Sequence, residues 1–255
     1  MDLTCSFVDV VPDDVLARYE LRETRMAARI VAATNPAEWM DVVEVLRHFV
    51  LTTDDLVNAG GNESGLAARL NAAFRNRGWR EGRVDTRIAL QLALKPYRPV
   101  GETVEQVRGT EVHNEGYLVD NVKGRLALDV EWNAKDGNLD RDVGAYRALY
   151  DAGLIDAAVM VTRTHDDLRV LSQGLAVEVG LPVDEARKRL STSTTTNLDK
   201  LLPRMTRGDL GGCPFLAVAI CPRTWQGSPS GAPAQSCPTP HVGWTQQDLI
   251  SGGPA

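Results

Sequence analysis

The chain has 255 residues, room for one large domain or for one domain with a smaller lobe. With 43% hydrophobic and 24% charged residues it has an ordinary globular make-up, and no apolar run reaches the ~18 residues that would argue for a membrane span. The net charge of −6 excludes a surface uniformly suited to nucleic acid, so any such contact must rest on a local basic patch.

The first residues, Met-Asp-Leu-Thr-Cys-Ser-Phe, lack the basic region and apolar stretch of a secretory signal, which points to the cytoplasm. Cys5, Cys213, Cys221 and Cys237 are scattered, without a Cys-x-x-Cys pair or His at zinc-finger spacing, so structural zinc is not expected.

In chain order, residues 13–30 carry Val15, Leu16, Tyr19, Leu21, Met26 and Ile30 at helical spacing and predict a first helix. Asn35-Pro36 starts a second, with Trp39, Val42, Val43, Val45 and Leu46 on one side. Gly60-Gly61-Asn62 is a break. A third helix covers residues 64–77 through Leu66, Leu70, Ala73 and Phe74, and ends at Gly78-Trp79. Arg75, Arg77, Arg80, Arg83 and Arg87 face only Glu81 and Asp85 in number. They form a basic patch or a solvated helix-loop surface.

Residues 116–132 then read as strand, tight turn and strand, with Gly124 free to take positive φ. In the second strand Leu126, Leu128, Val130 and Trp132 face one way, and Ala127, Asp129 and Glu131 the other. A helix over 139–150, a stop at Gly153 and an apolar strand over 157–162 complete a crossover unit, hence an α/β core with a mixed sheet. Two helical stretches, 167–179 and 183–190, precede the polar run 191–197 and a helix through Leu198, Leu201 and Leu202. Gly211-Gly212 leads to a last strand, 215–220, and beyond it lies a Pro/Gly/Ser-rich tail, 223–255, read as mobile or wrapped over the surface.

Asp129 and Glu131 project from one face of their strand, with Cα atoms about 6–7 Å apart, and the hairpin brings Asp120 to the same edge. Three converging carboxylates repel one another unless a cation sits between them. Such a hard oxygen cluster suits Mg²⁺, and Mg²⁺ suits phosphodiester hydrolysis, where it neutralises the phosphate and acidifies a bound water. The bland alternative is an exposed polar face on a half-buried sheet.

The segment from Val119 to Asp136, Val-Asp-Asn-Val-Lys-Gly-Arg-Leu-Ala-Leu-Asp-Val-Glu-Trp-Asn-Ala-Lys-Asp, resembles the active-site region of the BglII/BstYI family of type II restriction endonucleases, of the PD-(D/E)xK nuclease fold. Asp120, Asp129 and Glu131 match the family pattern of an Asp, eight residues, an acidic residue, one residue, then Glu or Gln. The resemblance continues through Asp140-Arg141-Asp142, the helix with Tyr146 and Tyr150, Val161-Thr162-Arg163, Thr194-Thr195-Thr196-Asn197, Lys200-Leu201-Leu202 and Gly212-Cys213-Pro214. It departs at Asp129, where Glu is commoner, and Glu131 stands where the wider fold carries Lys.

What the resemblance implies is a restriction-endonuclease-like α/β core, a central mixed sheet flanked by helices with helical N-terminal additions. It forms one domain over residues 1–222, its helical part about 1–100 and its catalytic core about 101–222. The implied activity is Mg²⁺-dependent cutting of double-stranded DNA at a short palindrome by a homodimer, leaving 5′-phosphate and 3′-hydroxyl ends. Asp120 and Asp129 would hold the metal, with Glu131 helping or orienting water. Asn133, Lys135, Arg163, Thr195, Thr196 and Asn197 lie on segments implied to approach DNA, though Thr196 and Asn197 equally suit an N-cap. Lys123 or Lys135 could supply a cation near the phosphate, or be a solvated turn residue, and His113 is a candidate phosphate or water contact. Two competing readings are a DNA-binding protein on this fold that no longer cuts, and a metal-dependent phosphatase of small substrates.

Overall fold

The computed structural model describes residues 1–58 and 65–227. The first part of the chain forms β1 (Leu3–Thr4), α1 (Phe7–Val10), α2 (Asp13–Leu16), β2 (Tyr19–Thr24), α3 (Ala27–Thr34), α4 (Pro36–His48), α5 (Thr53–Val57) and α6 (Gly65–Arg75). Two long strands follow, β3 (Arg80–Leu94) and β4 (Gln106–Lys123). Then come β5 (Leu126–Val130), α7 (Gly137–Asp151), β6 (Ala157–Arg163), α8 (Asp166–Glu178), α9 (Val183–Ala186), α10 (Leu198–Arg207) and β7 (Phe215–Ile220). The break at Gly60-Gly61-Asn62, Cys237 and most of the expected tail fall outside the described residues. Among the described residues no helix is long and apolar enough to cross a membrane.

All seven strands form one mixed sheet in the order β1-β2-β7-β6-β5-β4-β3. β5, β6 and β7 are parallel, and the flanking pairs β4–β5 and β2–β7 are antiparallel. Alternation within the strands divides the core into two layers. Leu126, Leu128, Val130, Val159, Val161 and Val218 pack under α3, α4, α6 and α8. Ala127, Ala158, Met160, Phe215 and Ala217 pack under α7 and α10, beside Leu139, Val143, Tyr146 and Leu201. The expected two faces of β5 are therefore observed, with Asp129 and Glu131 alternating onto the α7 side.

The predicted helix over 13–30 is a helix, a strand and a helix. Tyr19, Leu21 and Glu23 alternate inward and pair residue for residue with β7, from Tyr19↔Ile220 to Thr24↔Phe215. Sheet pairing overrides the coincidence of helical spacing there. Glu23 is fully buried because backbone donors surround it. It accepts from the Ser6 N–H, from the Ala28 N–H at 2.8 Å and from the Thr4 hydroxyl at 3.2 Å. The expected helix over 183–190 shrinks to the four residues of α9. The boundary expected near residue 100 falls between two partnered strands, since β3 and β4 pair from Arg80↔Val122 out to Leu94↔Gln106.

The β3–β4 pair is irregular at two places. Glu81 faces both Asp120 and Asn121, and Asp85 faces both Glu115 and Gly116. At the second bulge, a Cβ on Gly116 would lie 1.2 Å from the Val84 carbonyl oxygen, so only glycine fits.

Replacing Glu23 with Ala would strand two buried backbone donors. We expect a loss on the order of 3–5 kcal/mol in urea unfolding, with α7 and its site otherwise intact.

Candidate active site

The first bulge in β4 is where the site begins. A regular strand would turn Val119 and Val122 to opposite faces, yet both pack toward the α7 layer, because the extra residue lies between them. Asn121 consequently points at α6 and donates to Asn71 Oδ1 at 2.8 Å, while Asp120 is left at the edge facing β5. The Asp120 carboxylate accepts from the Val130 N–H at 3.3 Å, and its own N–H donates to Asp129 Oδ1 at 2.7 Å. Asp120 and Asp129 are thus locked together across the β4–β5 ladder, as the sequence spacing anticipates.

Asp129 is buried, and its other carboxylate oxygen accepts from the Tyr146 hydroxyl of α7. Burial, followed by the charge of Asp120, pushes the Asp129 carboxyl up to about 7. Glu131 follows on the same face, also buried, and meets Asp142 of α7. Burial and the neighbouring Asp142 carboxylate both raise Glu131, and burial raises Asp142 against the pull of Arg141, which bonds it at 2.9 Å. Glu131 Oε2 and Asp142 Oδ2 find no donor while both groups are ionised. Asp120 is raised by burial as well, held back by the Val130 N–H, by Asn71 and by the charge of Arg75.

Four carboxylates therefore interact at the end of β5. Their hard oxygens, mutual repulsion and two unpartnered buried atoms fit a divalent cation in chemical character. Among the described residues, no three His, Cys, Asp or Glu side chains stand ready-made around one metal position. Both oxygens of Asp129 are already engaged, by the Asp120 amide and by Tyr146.

The other expected residues divide into rim and scaffold. Asn133 and Lys135 are exposed beside the site, and Lys135 bridges to Thr195. Arg163 is fully buried, donating to the Thr195 hydroxyl at 3.0 Å and to the Thr164 carbonyl at 3.2 Å, with burial lowering it to about 10. It holds the 191–197 loop against β6 and has no surface to offer DNA. Thr196 and Asn197 are buried too. The Thr196 hydroxyl donates to the Glu131 carbonyl at 3.2 Å, and Thr162 does so from β6 at 3.1 Å. Asn197 caps α10 by accepting from the Lys200 N–H at 3.0 Å. Thr195 is half-buried. Lys123 bonds Asp41 at 2.7 Å and the Arg77 carbonyl at 3.0 Å, beside the Trp79 indole on the same carboxylate, so it is tied into the scaffold. His113 is exposed on β4, seven residues or about 23 Å from Asp120 along the strand. The arginine-rich stretch begins on a helix and turn, at Arg75 and Arg77, and continues along β3 through Arg80, Arg83 and Arg87, with Arg83 on Asp85 and Arg87 on Glu111.

Asn71, Asp142 and Tyr146 were not singled out as site residues, although all three sit here. Their signal was available as polar groups on inward helical stripes: Asn71 among Leu66, Leu70 and Phe74, and Asp142 and Tyr146 among Leu139, Val143 and Leu149.

A carboxylate raised in the folded state stabilises below its unfolded pKa and loses that contribution as pH rises through the folded value. For Asp129 the window runs from about 4 to about 7. In EDTA, Asp129→Asn should therefore overtake the wild type in urea unfolding as pH goes from 5 to 8, by on the order of 3 kcal/mol. Parallel pH profiles of the two proteins would contradict this account of the site.

Comparison with known proteins agrees with the geometry. No curated relative matches the sequence. The family model described as restriction endonuclease BglII/BglIII matches residues 19–220, which takes in β2, the whole of the parallel sheet and every carboxylate of the site. Restriction endonucleases of this kind generally use a divalent metal. The chain belongs to the BglII/BglIII restriction endonuclease family, whose members are site-specific deoxyribonucleases.

Proposed function

We propose that this chain is a type II restriction endonuclease that requires Mg²⁺, acts as a homodimer on a short palindrome in double-stranded DNA, and leaves 5′-phosphate and 3′-hydroxyl ends. The observation that supports it most is the pairing of Asp120 with Asp129 across β4 and β5, with Glu131 beside them and two buried oxygens lacking donors. Asp120 and Asp129 would hold the ion, and Glu131 would join them or orient the attacking water. The bound ion would neutralise the scissile phosphate and make a water more acidic at neutral pH.

The chain's own groups prepare that chemistry. Tyr146 and the Asp120 amide fix the Asp129 carboxylate, while Thr162 and Thr196 fix the backbone of Glu131. Burial and the neighbouring Asp142 keep Glu131 raised, so added positive charge would favour its ionised form. Arg75 and Arg141 add cationic potential at opposite sides, and exposed Asn133 and Lys135 occupy the rim where base edges or phosphates would pass. Two-fold symmetry would place one such site on each DNA strand.

The test is digestion of unmethylated phage DNA with Mg²⁺ or with EDTA, beside Asp120→Ala. Discrete fragments that need Mg²⁺, and a fall of roughly 10³-fold or more in the variant, are expected. Ca²⁺ titration by calorimetry gives a readout independent of cutting. DNA binding without cleavage or cation binding would replace this reading with that of a binding protein on the nuclease fold.

A further inference from the structure

Beyond the bulge at Gly116, β3 and β4 leave the helical layers as a two-stranded ribbon. Nearly every residue from 85 to 115 is exposed. Ile88, Leu90, Leu92 and Leu94 alternate along one side of β3, with Val112 directly across from Ile88. Leu90 and Leu92 are 58% and 56% exposed. An uncovered two-stranded ribbon is marginal in water, and an apolar row of this kind marks a contact surface. β3 is also the edge of the sheet, and residues 88–94, Ile-Ala-Leu-Gln-Leu-Ala-Leu, contain neither charge nor proline to discourage a further strand.

The charge pattern argues against DNA as the cover. Between residues 80 and 118 six Arg and Lys meet six Asp and Glu; three of the cations pair with carboxylates of the ribbon, Arg83 with Asp85, Arg87 with Glu111 and Lys95 with Glu105, and Arg108 stands across from Leu92. A neutral arm gains little from phosphates. Its size suits a protein. Residues 82–94 span about 43 Å, and two strands make a face about 10 Å wide, a flat footprint of roughly 400 Å². That is about half of the ~800 Å² per partner of a stable interface, so the open β3 edge would have to contribute beside the face.

We propose that the outer ribbon of β3 and β4 is the arm through which a second copy of this chain is bound, apolar row against apolar row about a two-fold axis. This rests on the homodimer reading above and names its surface. A two-fold contact uses the same patch twice, so one uncharged row supplies both halves of the interface.

Sedimentation velocity of the full chain at micromolar concentration tests it, comparing the wild type with the double variant Leu90→Glu, Leu92→Glu. The wild type should sediment as a dimer and the variant as a monomer, its self-association weakened at least about 100-fold by carboxylates desolvated at the contact. Far-UV circular dichroism should not move, because both side chains are exposed, and the melting temperature should fall only by the share that association contributes. The neutral pair Leu90→Gln, Leu92→Gln should weaken the dimer less than the glutamates do, and leave monomer affinity for DNA unchanged. A monomeric wild type, or a variant dimer as tight as the wild type, would overturn the proposal. So would loss of DNA affinity in the glutamine pair with the dimer intact, which would make the ribbon a DNA arm. These outcomes are separate from the nuclease reading, which Asp120→Ala tests with an unaltered ribbon.

Discussion

Ionised carboxylates resist leaving water, and this protein removes three of them from it at one end of one strand. Asp129, Glu131 and Asp142 are all nearly inaccessible, and the half-buried Asp120 joins them, with Arg141 as the direct counter-ion. Left charged and alone, such groups would cost several kcal/mol each. The fold contains the cost in two ways: it surrounds Asp129 with an amide and a phenol, and burial with mutual repulsion raises Glu131 and Asp142 toward their neutral forms. A site held in this condition is poised for positive charge.

Much of the remaining architecture is placed to keep that end of β5 rigid. The parallel neighbour β6 delivers Thr162 to the Glu131 carbonyl, and the 191–197 loop delivers Thr196 to the same oxygen. Arg163 then anchors the loop from within. Arg163, Thr196 and Asn197, which read as DNA contacts by their chemistry, are thus buried one layer deeper, holding the end of β5, the loop beside it and the start of α10. The exposed rim is left to Asn133 and Lys135.

How much of this could be read without coordinates depended on the range of the interaction. Strand alternation around Asp129 is local, and so both faces of β5 and the nearness of Asp120 to Asp129 were legible. Strand β2 was not, because Tyr19, Leu21 and Glu23 reveal themselves only against β7, some 200 residues later. The ribbon was hidden for a related reason. Its alternating Ile88, Leu90, Leu92 and Leu94 stand beside an arginine-rich run that suggested a surface loop. Asn71 and Asp142 lie on amphipathic helices, and only the sheet beneath them shows that they turn toward the carboxylates. Burial of Arg163 was illegible altogether, since an arginine at a strand end gives no sign of which side the next loop will cover.

The bulge opposite Glu81 has one more consequence. A hairpin lengthens or shortens by matched residues, one from each strand, and such changes at the far end leave the Arg80↔Val122 pairing and the extra residue beside it untouched. The position of Asp120 is therefore insulated from the length of the arm that grows out of the same strand. Natural variation could extend, trim or redecorate the arm while chemistry at its root stays in register, so that partner choice and catalysis evolve on one strand as independent traits.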